Sequence, residues 1–194
     1  MYCLRAAFFV ILITSLSSYG QTQLSKQNDF IDGVYQTLDE FKTNNPSIPS
    51  VVIIQDKERY ALRQVICEEN IVYASKEGTS KIAAVHIWGI CVYGDPYIRY
   101  KGCFIKIARF GLISTFALPL ILYTGPDLPN TPDIDVFAVD LSTGSIFHQR
   151  NDASKIIDII KRDEFFKNTR IKKKDIGFYI NQYNARHPFS FSND

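Results

Sequence analysis

The stretch HIWGICVYGDPYIRYKG, residues 86–102, gathers the single Trp of the chain, three Tyr, a Cys, a His and a Gly-Asp-Pro break. Trp88, Tyr93, Tyr97 and Tyr100 are amphipathic aromatics. If Tyr93 and Tyr97 stand side by side across the break, they form a platform for a sugar ring or a peptide. Cross-strand packing uses the same residues in the same pattern, and it is the ordinary reading.

Nucleophilic chemistry needs a thiolate beside an imidazole, with a third polar group to orient the base. Cys91 or Cys103 with His148 supplies those atoms. Against this, the cysteines sit among apolar and β-branched neighbours, where Cys behaves as a small hydrophobe. His86, His148 and His187 fall in different segments, so no metal site is expected. Asp127, Asp133 and Asp135 can offer oxygens to calcium, and Asp140 follows them, but their spacing is not that of a calcium loop. A solvated acidic loop is the plainer reading. The run RIKKKD, residues 170–175, suits an acidic envelope component or phospholipid headgroups. It also suits simple exposure to water. Phosphate-loop, zinc-protease, nucleophile-elbow and Cys-x-x-Cys motifs are absent, so neither catalytic residues nor a cofactor are assigned.

The elements that must position these residues follow from local pattern. Val34 and Tyr35 suit a short strand, and Thr37 with Glu40 forms a capping-box signature for a helix that the Asn- and Pro-rich run after it stops. VVII at 51–54 is a strand candidate, Arg63–Ile66 is strand or helix, and Ile71–Ala74 is a strand. Ile82–Val92 is rich in branched and aromatic residues and predicts another. Gly94-Asp95-Pro96 predicts a turn, with Trp88 and Ile90 packing one face of the hairpin. The apolar run Leu112–Tyr123 is too short to span a bilayer and contains Pro119, which favours a buried strand. Val136–Val139 and Ile146–His148 flank the turn Ser142–Gly144 as a hairpin. Ile156, Ile159 and Ile160 mark one helical face, and Ile176, Tyr179, Ile180 and Tyr183 a second, with Asn/Asp caps ahead of each. The expected fold class is α+β: a mostly antiparallel sheet of about six to eight short strands, barrel-like or open, with a short N-terminal helix and two C-terminal helices packed on it.

Residues 1–20 have the layout of a cleaved secretory signal: Arg5, an apolar core from Ala6 to Ile13, then small residues ending at Gly20. Cys3 precedes the apolar core, so it is not placed for lipid anchoring. Cleavage leaves residues 21–194 as one expected domain with a proper core. The formal charge falls from +2 to about +1 with Arg5, which disfavours a nucleic-acid partner. The remaining cysteines, Cys67, Cys91 and Cys103, are odd in number. One intramolecular disulfide fits an oxidising compartment, and the sequence leaves the pair open.

DGVYQTLDEFKTNNPSI, HIWGICVYGDPYI, VDLSTGSI and YINQYNARHP together resemble a family of uncharacterised exported proteins from Bacteroidetes, a domain of unknown function, over most of residues 32–189. The resemblance implies a Gram-negative, host-associated type of source and a periplasmic or envelope setting. It carries no catalytic residues across. Where that family has a more polar turn, this chain has Cys91-Val92-Tyr93-Gly94-Asp95-Pro96.

The leading functional expectation is an exported periplasmic or envelope-associated protein with a non-enzymatic binding or structural role. Its partner would be an envelope component or a small ligand, and the mature chain would have no integral membrane span. One alternative is a hydrolase of peptide or envelope polymer using a Cys/His or Asp/His constellation. Another is a carrier of lipid or a small apolar ligand, with residues 112–122 lining a cavity.

Overall fold

The computed structural model describes residues 30–50, 52–53, 65–119 and 134–191. In chain order the elements begin β1 (Gly33–Tyr35), α1 (Leu38–Thr43), β2 (Val52–Ile53), β3 (Val65–Ile66), β4 (Asn70–Ser75), β5 (Gly78–Ala83) and β6 (Gly89–Val92). They continue with β7 (Asp95–Tyr100), β8 (Cys103–Lys106), β9 (Ile113–Pro119), β10 (Ile134–Asp140), β11 (Ser145–His148), α2 (Ala153–Ile160) and α3 (Ile176–Arg186). The strands pair antiparallel into three sheets, ordered β1-β6-β7-β8-β3, β11-β10-β9 and β2-β4-β5. The fold is α+β, as the sequence pattern predicts. The sheets are not closed into a barrel, and the strands outnumber the expectation.

Alternation along the five-stranded sheet creates the layers, because successive side chains point to opposite faces. Val34, Ile90, Val92, Tyr97 and Phe104 join one buried cluster with Val52 and Ile71 of the β2-β4-β5 sheet. Tyr35, Cys91, Ile98 and Ile105 face the other way, against Phe116, Phe137 and Val139 of the β11-β10-β9 sheet. That last sheet turns Ile113 and Ala138 toward Ile156, Ile160, Ile176 and Ile180 of the helices. Sheet, sheet, sheet and helices thus stack with apolar clusters between them. Each fully buried large side chain contributes about 1.5–3 kcal/mol.

Local signals explain the ends of the elements. Thr37 Oγ1 accepts the Glu40 N–H at 3.1 Å, while Glu40 reaches back to the Gln36 N–H at 2.7 Å, one residue beyond a standard capping box. Asn44 ends α1 in the left-handed region, at φ 54°. The helical faces of α2 and α3 are buried as their spacing predicts, except that Tyr179 is only half-buried. Their expected caps are different, since neither Asp152 nor Asp175 makes a side-chain cap bond. Asp152 instead accepts the His148 N–H at 3.0 Å and pairs with Lys155.

Two further expectations change. The strand predicted over Ile82–Val92 is broken by a 3₁₀ turn at Ala84–His86, because β5 and β6 belong to different sheets and the chain must cross between them. The hairpin turn is Tyr93-Gly94, with φ of 54° and 77°, and Val92 pairs with Asp95 across it. Asp95 and Pro96 are therefore strand residues. The Gly94 N–H is donated to Asp32 Oδ1 at 2.8 Å, which holds the turn against the N-terminal segment. Among the described residues no helix is long and apolar enough to cross a membrane.

Candidate functional site

Among the described residues, the β10–β11 hairpin fixes a site able to hold a ligand. Phe137 pairs with His148, which places Asp135 diagonally across from the imidazole. His148 Nε2 lies 3.0 Å from Asp135 Oδ1. Its Nδ1 accepts two backbone N–H groups, from Arg150 at 3.2 Å and Asn151 at 3.1 Å. Those two donors assign the proton to Nε2, so the ring donates to Asp135. The Phe137 ring packs edge-on against the imidazole at 5.0 Å.

Beside this pair opens a cleft of about 390 Å³, between the hairpin and the start of α3. Val136 and Ile176 supply apolar lining, and Asp135, His148 and Gln149 supply polar groups. Arg150, Lys173 and Lys174 stand at its exposed margin. None of these three side chains enters an ion pair or hydrogen bond among the described residues. Gly177, in the first turn of α3, also lines the cleft, and a Cβ there would stand in open space.

The Asp135–His148 pair has the composition of a hydrolytic dyad but not its orientation. In a dyad the carboxylate takes one ring nitrogen and the other points its lone pair at the nucleophile. Here the second nitrogen is occupied by two amides of its own loop, so the ring has no lone pair to offer a substrate.

The Cys/His pairing fares no better. Cys103 is bonded to Cys67, which also settles the disulfide. Cys91 stays a thiol in the core, 3.4 Å from Asp32 Oδ1. Burial, and then the adjacent Asp32 charge, push that thiol far above its ordinary pKa, the opposite of an activated nucleophile.

The four aromatic candidates separate. Tyr97 is 1% exposed within the cluster facing β2-β4-β5. Tyr100 and Trp88 pack at the margin of the cluster on the other face, Trp88 against Phe41 at 4.7 Å. Trp88 and Ile90 thus serve different clusters and not one face. Tyr93 is 64% exposed at the turn, so it forms no exposed pair with Tyr97.

The remaining candidates have structural duties. Asp140 is buried and accepts the Ser142 N–H, the Ser142 hydroxyl and the Thr143 hydroxyl within its own turn. His187 packs at a tilt against Tyr183 and bonds Asp163, while His86 is exposed in the 3₁₀ turn. Asp127 and Asp133 lie outside the described residues. No group of three metal-ligating side chains occurs among the described residues. The described part of the apolar run is packed on both faces: Ile113 faces the helices, and Phe116 and Leu118 the opposite cluster.

In the sequence His148, Asp135 and the lysine run are separate features, and Gln149 and Arg150 belong to no motif. The hairpin turn at Ser142–Gly144 held the missing signal, because it fixes the register that sets Asp135 against His148. The approach of Lys173 and Lys174 to that hairpin had no local signal. No family model matches the chain, nor does any curated protein or solved structure.

Proposed function

We propose that this is an exported, envelope-associated protein that binds a ligand without transforming it, and that the cleft beside His148 is its binding site. The observation that carries this reading is the saturated imidazole. A cleft with convergent polar groups and an apolar lining is a binding feature, while the ring at its wall has both nitrogens engaged. Export is supported by the layout of residues 1–20, by the resemblance to exported Bacteroidetes proteins, and by the Cys67–Cys103 disulfide, a bond that persists in oxidising compartments.

The test is expression of the full chain with its leader, recovery of the mature protein, and native mass spectrometry. The expected result is an N-terminus at Gln21 and an adduct of discrete mass that is lost on unfolding. A protein retained in the cytoplasm would remove the export half of the proposal. Turnover of a bound compound, abolished by His148→Gln, would replace the binding half with catalysis.

A further inference from the structure

Resting on that reading of the cleft, we infer that its ligand is a hydroxylated anion: a carboxylate or phosphate carried on a sugar-like body. Three observations converge on this chemistry. The first is charge. Arg150, Lys173 and Lys174 stand around one opening, and none of them is neutralised by an ion pair or hydrogen bond among the described residues. They come from two separated pieces of chain, the turn after β11 and the 3₁₀ turn Lys173–Asp175, so the tertiary fold and not a single basic run assembles the group. The first residues of α3, Ile176 and Gly177, face the same cleft, and the helix dipole adds partial positive charge there.

The second observation concerns the polar groups that line the same cleft as the cations. Asp135 spends Oδ1 on His148, and its side chain is 43% exposed, leaving Oδ2 available to accept from a ligand. An acceptor of that kind suits hydroxyl groups, and the Gln149 amide adds both a donor and an acceptor. A bare anion has nothing to donate to Asp135 and would be repelled by it; a hydroxylated one satisfies it.

The third observation is size and lining. A space of about 390 Å³ is far more than an inorganic anion fills, and Val136 and Ile176 offer apolar surface to the C–H face of a ring. Unpaired cations, hydroxyl acceptors and apolar surface lining one cleft together suit a sugar acid or a sugar phosphate. Such groups occur free in solution and as units of anionic polymers, so the test must separate the two sources.

The experiment uses the ¹⁵N-labelled mature protein, with amide shifts of Gln149, Arg150 and Gly177 followed by NMR. The probes are glucuronate, glucose 6-phosphate, neutral glucose, inorganic phosphate, an oligomer of glucuronate, and vesicles containing anionic phospholipid. The expected result is saturable shifts of those amides with glucuronate or glucose 6-phosphate, weakened by added salt. The double variant Lys173→Gln/Lys174→Gln weakens the affinity about tenfold or more while its spectrum stays folded. Asp135→Asn separates the two halves of the argument, because it reduces preference for the sugar anions over inorganic phosphate. Tighter binding of the oligomer than of the monomer assigns the ligand to a polymer; equal binding per unit assigns it to the free sugar.

Inorganic phosphate binding as well as the sugar anions would overturn the hydroxylated body, and vesicle binding without any response to soluble probes would overturn the sugar. Glucose shifting the same amides as strongly as the anions would sink the inference while leaving a ligand-binding cleft in place. No shift at those amides with any probe, together with no retained ligand in native mass spectrometry, would sink both.

Discussion

The side-chain amide of Asn184 holds both backbone groups of Ile113. Oδ1 accepts the Ile113 N–H at 2.9 Å, and Nδ2 donates to the Ile113 carbonyl at 2.8 Å. Asn184 thus takes the place of a strand neighbour at the start of β9 and ties α3 to the sheet from a buried position. Asn184→Ala leaves two buried backbone groups unpaired, and the expected loss is about 2–4 kcal/mol. Urea unfolding measures it, and a change under 0.5 kcal/mol would show that water replaces both bonds.

The Cys67–Cys103 bond closes a loop across 36 residues. In the chain-entropy account a loop of this size stabilises by about 3–4 kcal/mol. Cys67→Ser/Cys103→Ser is expected to lose that amount. Reduction of the unaltered protein should lower its urea midpoint similarly, and an unchanged midpoint would argue against the bond.

Cys91 predicts a thiol count. Burial and the Asp32 carboxylate keep it protonated and out of reach. The folded mature protein should not react with a thiol reagent at pH 8, and one thiol per chain should appear in denaturant. Rapid reaction in the folded state would contradict the buried placement.

Asp163 links the turn after α2 to the end of α3. It accepts from Arg186 Nε and His187 Nε2, each at 2.8 Å, and from the Phe165 N–H. The Arg186 hydrogen bond, then that of the Phe165 amide, hold its pKa below the ordinary carboxylate range. A depressed pKa contributes stability that is complete above the unfolded value of about 3.9 and is lost as pH falls below it. Urea midpoints should therefore decline from pH 5 to pH 2, and Asp163→Asn should flatten that decline while lowering stability at pH 7. An Asn variant with an unchanged acid profile would remove Asp163 from the account.

Gly89 explains the Trp-Gly step. A Cβ there would lie 2.7 Å from the Tyr97 carbonyl oxygen and 3.1 Å from the Phe41 ring. The backbone oxygen is fixed in the ladder and cannot yield. Gly89→Ala is expected to cost about 1–3 kcal/mol, read from the thermal or urea midpoint.

Much of the local structure was legible from residue order. The helical faces of α2 and α3, the Thr37–Glu40 start of α1 and the β10–β11 hairpin were all readable, because each is written within a dozen residues of periodicity or turn chemistry. The Tyr93-Gly94 turn lies one step ahead of the Gly94-Asp95-Pro96 signal. Pro96 looked like a breaker, yet it sits near the start of β7, where one missing donor is tolerated. The split of Ile82–Val92 was not readable, since branched residues favour a strand without saying in which sheet it lies.

What the sequence determined by itself is the class of the fold, since alternation with period two and helical faces with period 3.6 are properties of neighbouring residues. Tertiary structure alone decided which cysteines bond, which aromatics are buried, and where charge gathers. Cys67 meets Cys103 because β3 pairs with β8, and Lys173 and Lys174 reach the cleft beside His148 because α3 packs on the sheet from a later part of the chain. Those are contacts between distant segments, set by how whole sheet faces bury one another, and no local spacing encodes them.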